Sequence, residues 1–235
     1  MKFLYIAILS VIFMSCSQKD VQVPVNDNPG LHEIWDNSRI YILMDVKDGD
    51  TIPKLKLGQT ITTTQWLVAV DKRLKLKKLI NPIEKIIKKR HKKSIHSKEG
   101  TYAYFAYLDS VQHKMSFVDF DSIQFMPDYF SPASYFEKYK QDDKAFNKYY
   151  LRIDKRHIVL NDSITFDTGI SKRALQDSLW NIIGKQTTQI DNKLYLNFSP
   201  NLYFDTFLNY YTFFKNNGIP KGKLSQKIFI NSNNK

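Results

Sequence analysis

With only one cysteine, Cys16, the chain has no possible intramolecular disulfide among its 235 residues. Its stability must come from apolar burial, which suits domains of about 80 residues or more. Glycine and proline number eight each, too few for collagen-like or long low-complexity segments. Recognisable chemistry is equally sparse. The five histidines, His32, His91, His96, His113 and His157, show no HExxH or other metal-ligand spacing. Beyond Cys16 there is no thiol, and there is no GxSxG elbow and no glycine-rich phosphate loop. The sequence therefore reads as a protein without a catalytic constellation, cofactor or metal. The only long uncharged apolar run, Phe3 to Met14, falls short of the roughly 20 residues that a membrane-crossing helix needs.

What is present begins at the N-terminus. Lys2, the apolar run and the small residues that follow have the layout of a secretory signal. Phe13-Met14-Ser15-Cys16 resembles the lipobox of bacterial lipoproteins, with Phe13 where the family more often has Leu. The resemblance implies removal of residues 1–15, a diacylglyceryl thioether on Cys16 and a further acyl chain on its new amine. Several chains exceed the one-chain threshold for stable anchoring. The expected location is a bacterial cell envelope, the outer membrane before the inner. Gln18-Lys19-Asp20 resembles short signals for cell-surface export. Other readings of the same residues are an ordinary cleaved signal and an uncleaved anchor.

The net charge of +12 is concentrated. From Asp71 to Lys98, twelve Lys or Arg face only Asp71 and Glu84, which accounts for ten of the twelve charges. In an intracellular protein such a cluster points to nucleic acid. Behind a signal peptide the anionic partners are lipid phosphates, lipopolysaccharide or cell-wall carboxylates, and nucleic acid is not expected. The candidate anion-binding residues are Lys77, Lys78, Lys85, Lys88, Lys89, Arg90, Lys92 and Lys93. The alternative is a solvated helix face that aids solubility.

Along the chain, residues 16–38 read as a flexible tether rich in Asp, Asn and Pro. Residues 39–125 form a first module. Arg39 to Asp45, Lys54 to Gln59 and Gln65 to Val70 are predicted strands, the first closed by Lys47-Asp48-Gly49-Asp50. Leu76, Leu79, Ile80, Ile83, Ile86 and Ile87 recur at three and four, an amphipathic helix. An interior proline costs about 3 kcal/mol, so a helix starting afresh with Asn81 as cap and Pro82 in first position is expected. Thr101 to Leu108 and Lys114 to Phe120 complete the module as strands, and residues 126–147 read as a linker.

Residues 148–235 form a second module. A hairpin (Lys148 to Ile153, His157 to Asn161) precedes a helix capped by Ser171 with Leu175, Leu179, Ile182 and Ile183 as its stripe. The strand Lys193 to Phe198 follows, then a helix carrying Phe204, Phe207, Leu208, Tyr211 and Phe214 that stops at Gly218, then the strand Gln226 to Asn231. The fold class is α+β: two small modules, each a mixed sheet with amphipathic helices on one side, ββαβαβ-like. Trp66 to Arg90 and Leu194 to Gly218 share one plan, strand, polar turn and helix; this reads as an internal repeat of structure rather than of identity, the alternative being coincidence in a common α+β pattern. YYLRIDKRHIVLNDS, LQDSLWNII and KLYLNFSPNLYFDTFLNYYTFFKNNGI, with Asn217-Gly218-Ile219, resemble the periplasmic domain of ExbD/TolR proteins over residues 148–232. The resemblance implies a dimerising, partner-binding module of an energy-coupling transport complex. Phe3 to Met14 carries no acid, so the proton-driven motor role of that family is not implied.

Two further clusters carry chemistry. Asp119 and Asp121 fall on one face of a strand, an arrangement for a general acid and base; the commoner reading is the wet side of an edge strand. Tyr129, Phe130, Tyr135, Phe136 and Tyr139 offer rings for sugar stacking, with packing as the commoner role. The functional expectation is a lipid-anchored envelope protein that binds a surface or a protein partner. An ExbD/TolR-like accessory and a glycan-binding or weakly glycan-hydrolysing lipoprotein are the alternatives.

Overall fold

The computed structural model describes residues 20–58, 60–92, 99–126, 130–139, 146–185, 190–219 and 222–230. Cys16, Lys93, His96 and Tyr129 lie outside them. Among the described residues the fold is α+β, with two mixed six-stranded sheets and four helices. The first sheet is built from β1 (Val25–Asn26), β2 (Asn37–Lys47), β3 (Asp50–Lys56), β4 (Gln65–Val70), β5 (Ala103–Asp109) and β6 (Lys114–Asp119), in the order β1-β5-β4-β2-β3 with β6 on β5. The second contains β7 (Gln124–Met126), β8 (Phe146–Ile153), β9 (His157–Leu160), β10 (Ile164–Asp167), β11 (Asp191–Phe198) and β12 (Gly222–Ile230), in the order β10-β9-β8-β11-β12-β7. The helices are α1 (Leu76–His91), α2 (Pro132–Lys138), α3 (Lys172–Gly184) and α4 (Phe204–Asn217).

The local signals act as their chemistry requires. Asp48 and Gly49 both adopt positive φ, the geometry that closes a two-residue hairpin between Lys47 and Asp50. The Ser171 side chain accepts the Ala174 N–H at the start of α3, and Gly218 ends α4 at φ +63. Pro82, however, lies inside α1, which runs unbroken from Leu76 to His91. The buried stripe Leu76, Leu79, Ile83 and Ile86 spans the proline. Each such side chain contributes about 1.5–3 kcal/mol on burial, so together they outweigh the proline penalty and no new start at Asn81 is needed.

The two modules are joined by a reciprocal seam. Neither α1 nor α4 has a side-chain cap. The free N–H groups of Leu76 and Lys77 donate instead to Leu202 O and Pro200 O, while those of Phe204 and Asp205 donate to Leu74 O and Lys72 O. Each helix start is thus capped by the other module's backbone. The four bonds form two pairs whose residues correspond at an offset of 128. The same offset relates the donors of two further bonds at the ends of β4 and β11, Asp71 N–H to Ile42 O and Ser199 N–H to Ile153 O. The structural repeat is an approximate two-fold about Lys75 and Tyr203, which pair as an isolated bridge. One hydrophobic core runs through both modules. In it Phe105 of β5 meets Phe204 and Phe207 of α4.

Two segments differ from the sequence expectation. The part of the tether that is described, residues 20–38, packs on the body: β1 pairs with β5, Leu31 bridges Phe117, and Asn26 and Asn28 are buried. Asn26 Nδ2 donates to Thr212 Oγ1 on α4, and Tyr107 Oη donates to Asn28 O at 3.0 Å. Side-chain amides and backbone carbonyls hold this segment, so no apolar periodicity announces it. The described parts of the expected linker are likewise built in. β7 extends the second sheet beside β12, and α2, with a Ser131–Ser134 capping box, lies on that sheet's outer face. Phe130, Tyr135 and Phe136 are buried there against Tyr195 and Phe229, with packing rather than ligand stacking as their role. α2 therefore sits on the opposite side from α3 and α4, so helices are not confined to one side.

Candidate functional site

The basic helix divides its charges. Its apolar stripe faces the inner side of the first sheet, beside Ile40, Ile42, Val68 and Val70. Lys77, Lys85, Lys88 and Lys92 lie exposed on the opposite side of the helix. Near them the acidic Glu84 pairs with Lys88 at 3.1 Å, one turn away. Lys78, Arg90 and the exposed Lys89 make contacts within the first module. Lys78 binds Asp50 and the Thr51 carbonyl. Lys89 donates to Thr60 Oγ1 at 2.8 Å and lies 5.9 Å from the Trp66 ring centroid. Arg90 is 8 % exposed; it donates to Thr62 O at 2.9 Å and stacks over Trp66 at 5.1 Å. A guanidinium can cover an indole face while keeping its fork donors in use. Arg90 and Lys78 are thus corrected from surface cations to structural ones.

On the other side of the first sheet lies a groove of about 720 Å³, within the size range of small-molecule sites. Tyr41, Leu67, Ala69, Ala106 and Phe117 line it from the sheet, and Val21, Val23, Ile34 and Trp35 from the N-terminal segment. Trp35 is 80 % exposed and Met115 40 %. The sequence analysis did not single out these residues, yet a signal existed. QWLVAV and RIYILMD are apolar on both strand faces, so each face needs a cover, and α1 covers one only. A second hollow, of about 600 Å³, lies over the module seam among Met44, Lys72, Arg73, Lys75 and Tyr203. Beside it Asp71 is 1 % exposed and takes a bidentate pair from Arg73 Nε and Nη2 at 2.9 and 2.7 Å. Burial works to raise the Asp71 pKa, but the hydrogen bonds and charge of Arg73 outweigh it and hold the carboxyl below the usual range.

The expected acid–base pair is rearranged. Asp119 is the last residue of β6, whereas Asp121 lies beyond the strand in the following turn. The two are therefore not side by side on a strand face. Asp119 Oδ1 accepts the Asp121 N–H at 2.8 Å, and its carboxylate pairs with Lys215 of α4 at 3.1 Å. Tyr211 Oη donates to Asp119 O, and deep burial with the neighbouring Asp119 charge pushes the Tyr211 phenol pKa up. Asp121 pairs with His91 Nε2 at 3.1 Å. Its pKa is raised by burial, partly offset by His91. Asp121 Oδ1 and Arg90 Nη2 have no hydrogen-bond partner among the described residues. The cluster ties the end of α1 and the last turns of α4 to the end of β6.

A third polar group involves His32, Ser116 and Asp109. His32 Nδ1 lies 2.9 Å from Ser116 Oγ, and Nε2 is 4.0 Å from Asp109 Oδ2. The residue types are those of a nucleophilic triad, but the geometry does not suit catalysis. Ser116 is fully buried, out of reach of any substrate. Asp109 Oδ1 accepts the backbone N–H groups of Val111 and Gln112, and these bonds lower the Asp109 pKa. Burial, with Asp109 nearby, pushes the adjacent Tyr107 phenol up to about 12. The group anchors the N-terminal segment against β6. His113 and His157 occupy a turn and the start of β9, and no metal-binding group of His, Cys, Asp and Glu occurs among the described residues. No described helix is long and apolar enough to cross a membrane. No protein-family model, curated protein or solved structure matches the chain.

Proposed function

We propose that this protein is a lipid-anchored component of a bacterial envelope, held by acyl chains on Cys16, that acts by binding rather than catalysis. Its contact surface in this reading is the outward face of α1, which meets an anionic envelope surface of lipid phosphates, lipopolysaccharide or cell-wall carboxylates. The observation that carries it is the stripe of exposed lysines, Lys77, Lys85, Lys88 and Lys92, left after the structural cations are set aside. The arrangement also gives the protein a direction. Val21 and Val23 lie in the groove on the outer face of the first sheet, whereas α1 covers the inner face. The lysine stripe lies on the far side of the first sheet from Val21 and Val23, which supports contact with a surface other than the anchoring bilayer.

A lysine near an anionic surface contributes about 1 kcal/mol at physiological ionic strength. Neutralising three therefore weakens binding roughly 100-fold. The test is retention of the full chain, in detergent, on immobilised lipopolysaccharide across a salt gradient. Wild type should elute at high salt, and the triple variant Lys85→Gln, Lys88→Gln, Lys92→Gln near the start of the gradient. Equal elution of the two would remove the α1 face as the contact. A second reading, an ExbD/TolR-like accessory of a transport complex, draws support from the element order of the second module and its two-fold pairing with the first. Crosslinking in envelopes that recovers no inner-membrane transport subunit would exclude it.

A further inference from the structure

The two sheets differ in how their outer faces are covered. Leu67 and Tyr195 are equivalent positions, 128 residues apart in the repeat. Tyr195 is fully buried, with Phe136 of α2 packed edge-on against it at 4.8 Å. Among the described residues Leu67 has no such cover: it is half-buried on the floor of the groove. The described N-terminal residues form walls around this floor without covering it, and Trp35 and Met115 stand exposed at the groove. Where the second sheet has a helix, the first sheet has, among the described residues, an apolar groove of about 720 Å³.

The chain itself brings an apolar occupant to this place. Val21 and Val23 line the groove, and the intervening Gln22 is fixed by its carbonyl, which accepts the Lys72 N–H at 2.8 Å. Cys16 precedes Val21 by five residues. Even fully extended, that length of chain reaches no more than about 18 Å. Anything attached to Cys16 is therefore held beside the groove, at the millimolar effective concentrations typical of short linkers. We propose that the groove houses one of the acyl chains carried by Cys16, an occupant that rests on the lipoprotein reading above. A methylene chain passing from bilayer to groove stays in apolar surroundings. What changes is the floor of Tyr41, Leu67, Ala69 and Phe117, which leaves water, and this favours the filled groove.

The experiment feeds cells a palmitate analogue bearing a diazirine in its chain, irradiates intact envelopes and purifies the full-length protein for peptide mass spectrometry. The expected result is a Cys16 peptide carrying the analogue and covalently joined to peptides containing Leu67–Ala69 or Met115–Phe117. Met115→Glu, which puts a charge at an exposed position on the groove, should abolish the join while Cys16 remains acylated. Acylated Cys16 joined only to bulk lipid, or groove peptides joined only to free phospholipid, would overturn the inference and leave the lipoprotein reading intact. Cys16 without the analogue would overturn both.

Discussion

Replacing Phe105 with alanine should weaken both halves of the molecule at once. Phe105 belongs to the first sheet and is fully buried. It stacks on Phe120 at a centroid distance of 3.7 Å and meets the edges of Phe204 and Phe207 of the second module at 5.1 and 6.4 Å. Truncating a buried phenylalanine to alanine costs about 3–5 kcal/mol. In a chain of this size that lowers the unfolding midpoint by roughly 6–20 °C. The assay follows thermal unfolding in two single-tryptophan backgrounds, one retaining Trp66 in the first module and one retaining Trp180 in the second. Because the core is continuous and each module caps the other's helix, both probes should report the same lowered midpoint. A fall at Trp66 with no change at Trp180 would refute the shared core and leave two independent domains.

Three further outcomes follow from particular residues. In Gly30→Ala, the added Cβ would overlap Tyr107 Oη and lie 2.8 Å from Phe117 O; overpacking of this kind costs about 1–3 kcal/mol, visible in urea unfolding, whereas a free tether would show no change. Asp121→Asn should raise the unfolding midpoint at pH 7. The raised pKa of Asp121 means that the fold favours the protonated acid, so stability is lost as pH rises through that value, and the variant's advantage should vanish below the ordinary carboxylate pKa; a lower midpoint at pH 7 would show that the His91 pair outweighs burial. Pro82→Ala restores an N–H inside α1 and should stabilise by up to about 3 kcal/mol, measured by the same urea titration, while a loss would show that the proline ring is needed for packing.

The sequence was most legible where one physical signal dominated. Gln65–Val70 is a strand with the predicted ends, Ser171 and Gly218 bound their helices as capping chemistry requires, and the stripe of α1 is buried as its spacing implies. Legibility failed where long-range partners decide. The side-chain amides of Asn26, Asn209 and Asn216, and the Asn28 carbonyl that accepts from Tyr107 Oη, hold the N-terminal segment through residues far apart in the chain. Such polar residues look like loop material in isolation. Arg90 reads as one more surface cation until Trp66 is placed beneath it. Pro82 reads as a helix start because the penalty is local, while the compensating burial is tertiary. The groove was hidden for a related reason: a near-continuous apolar run marks two apolar faces, but only the assembled sheet reveals which face lacks a helix among the described residues.

The claim on which the functional account depends is that acyl chains on Cys16 hold the body at a bilayer. The most direct test is intact mass and N-terminal peptide mass of the protein recovered from envelopes. The account predicts a chain that begins at Cys16 and carries diacylglyceryl and amide-linked acyl groups. A free Cys16 thiol on a chain that still carries residues 1–15, recovered from the cytosol, would contradict it.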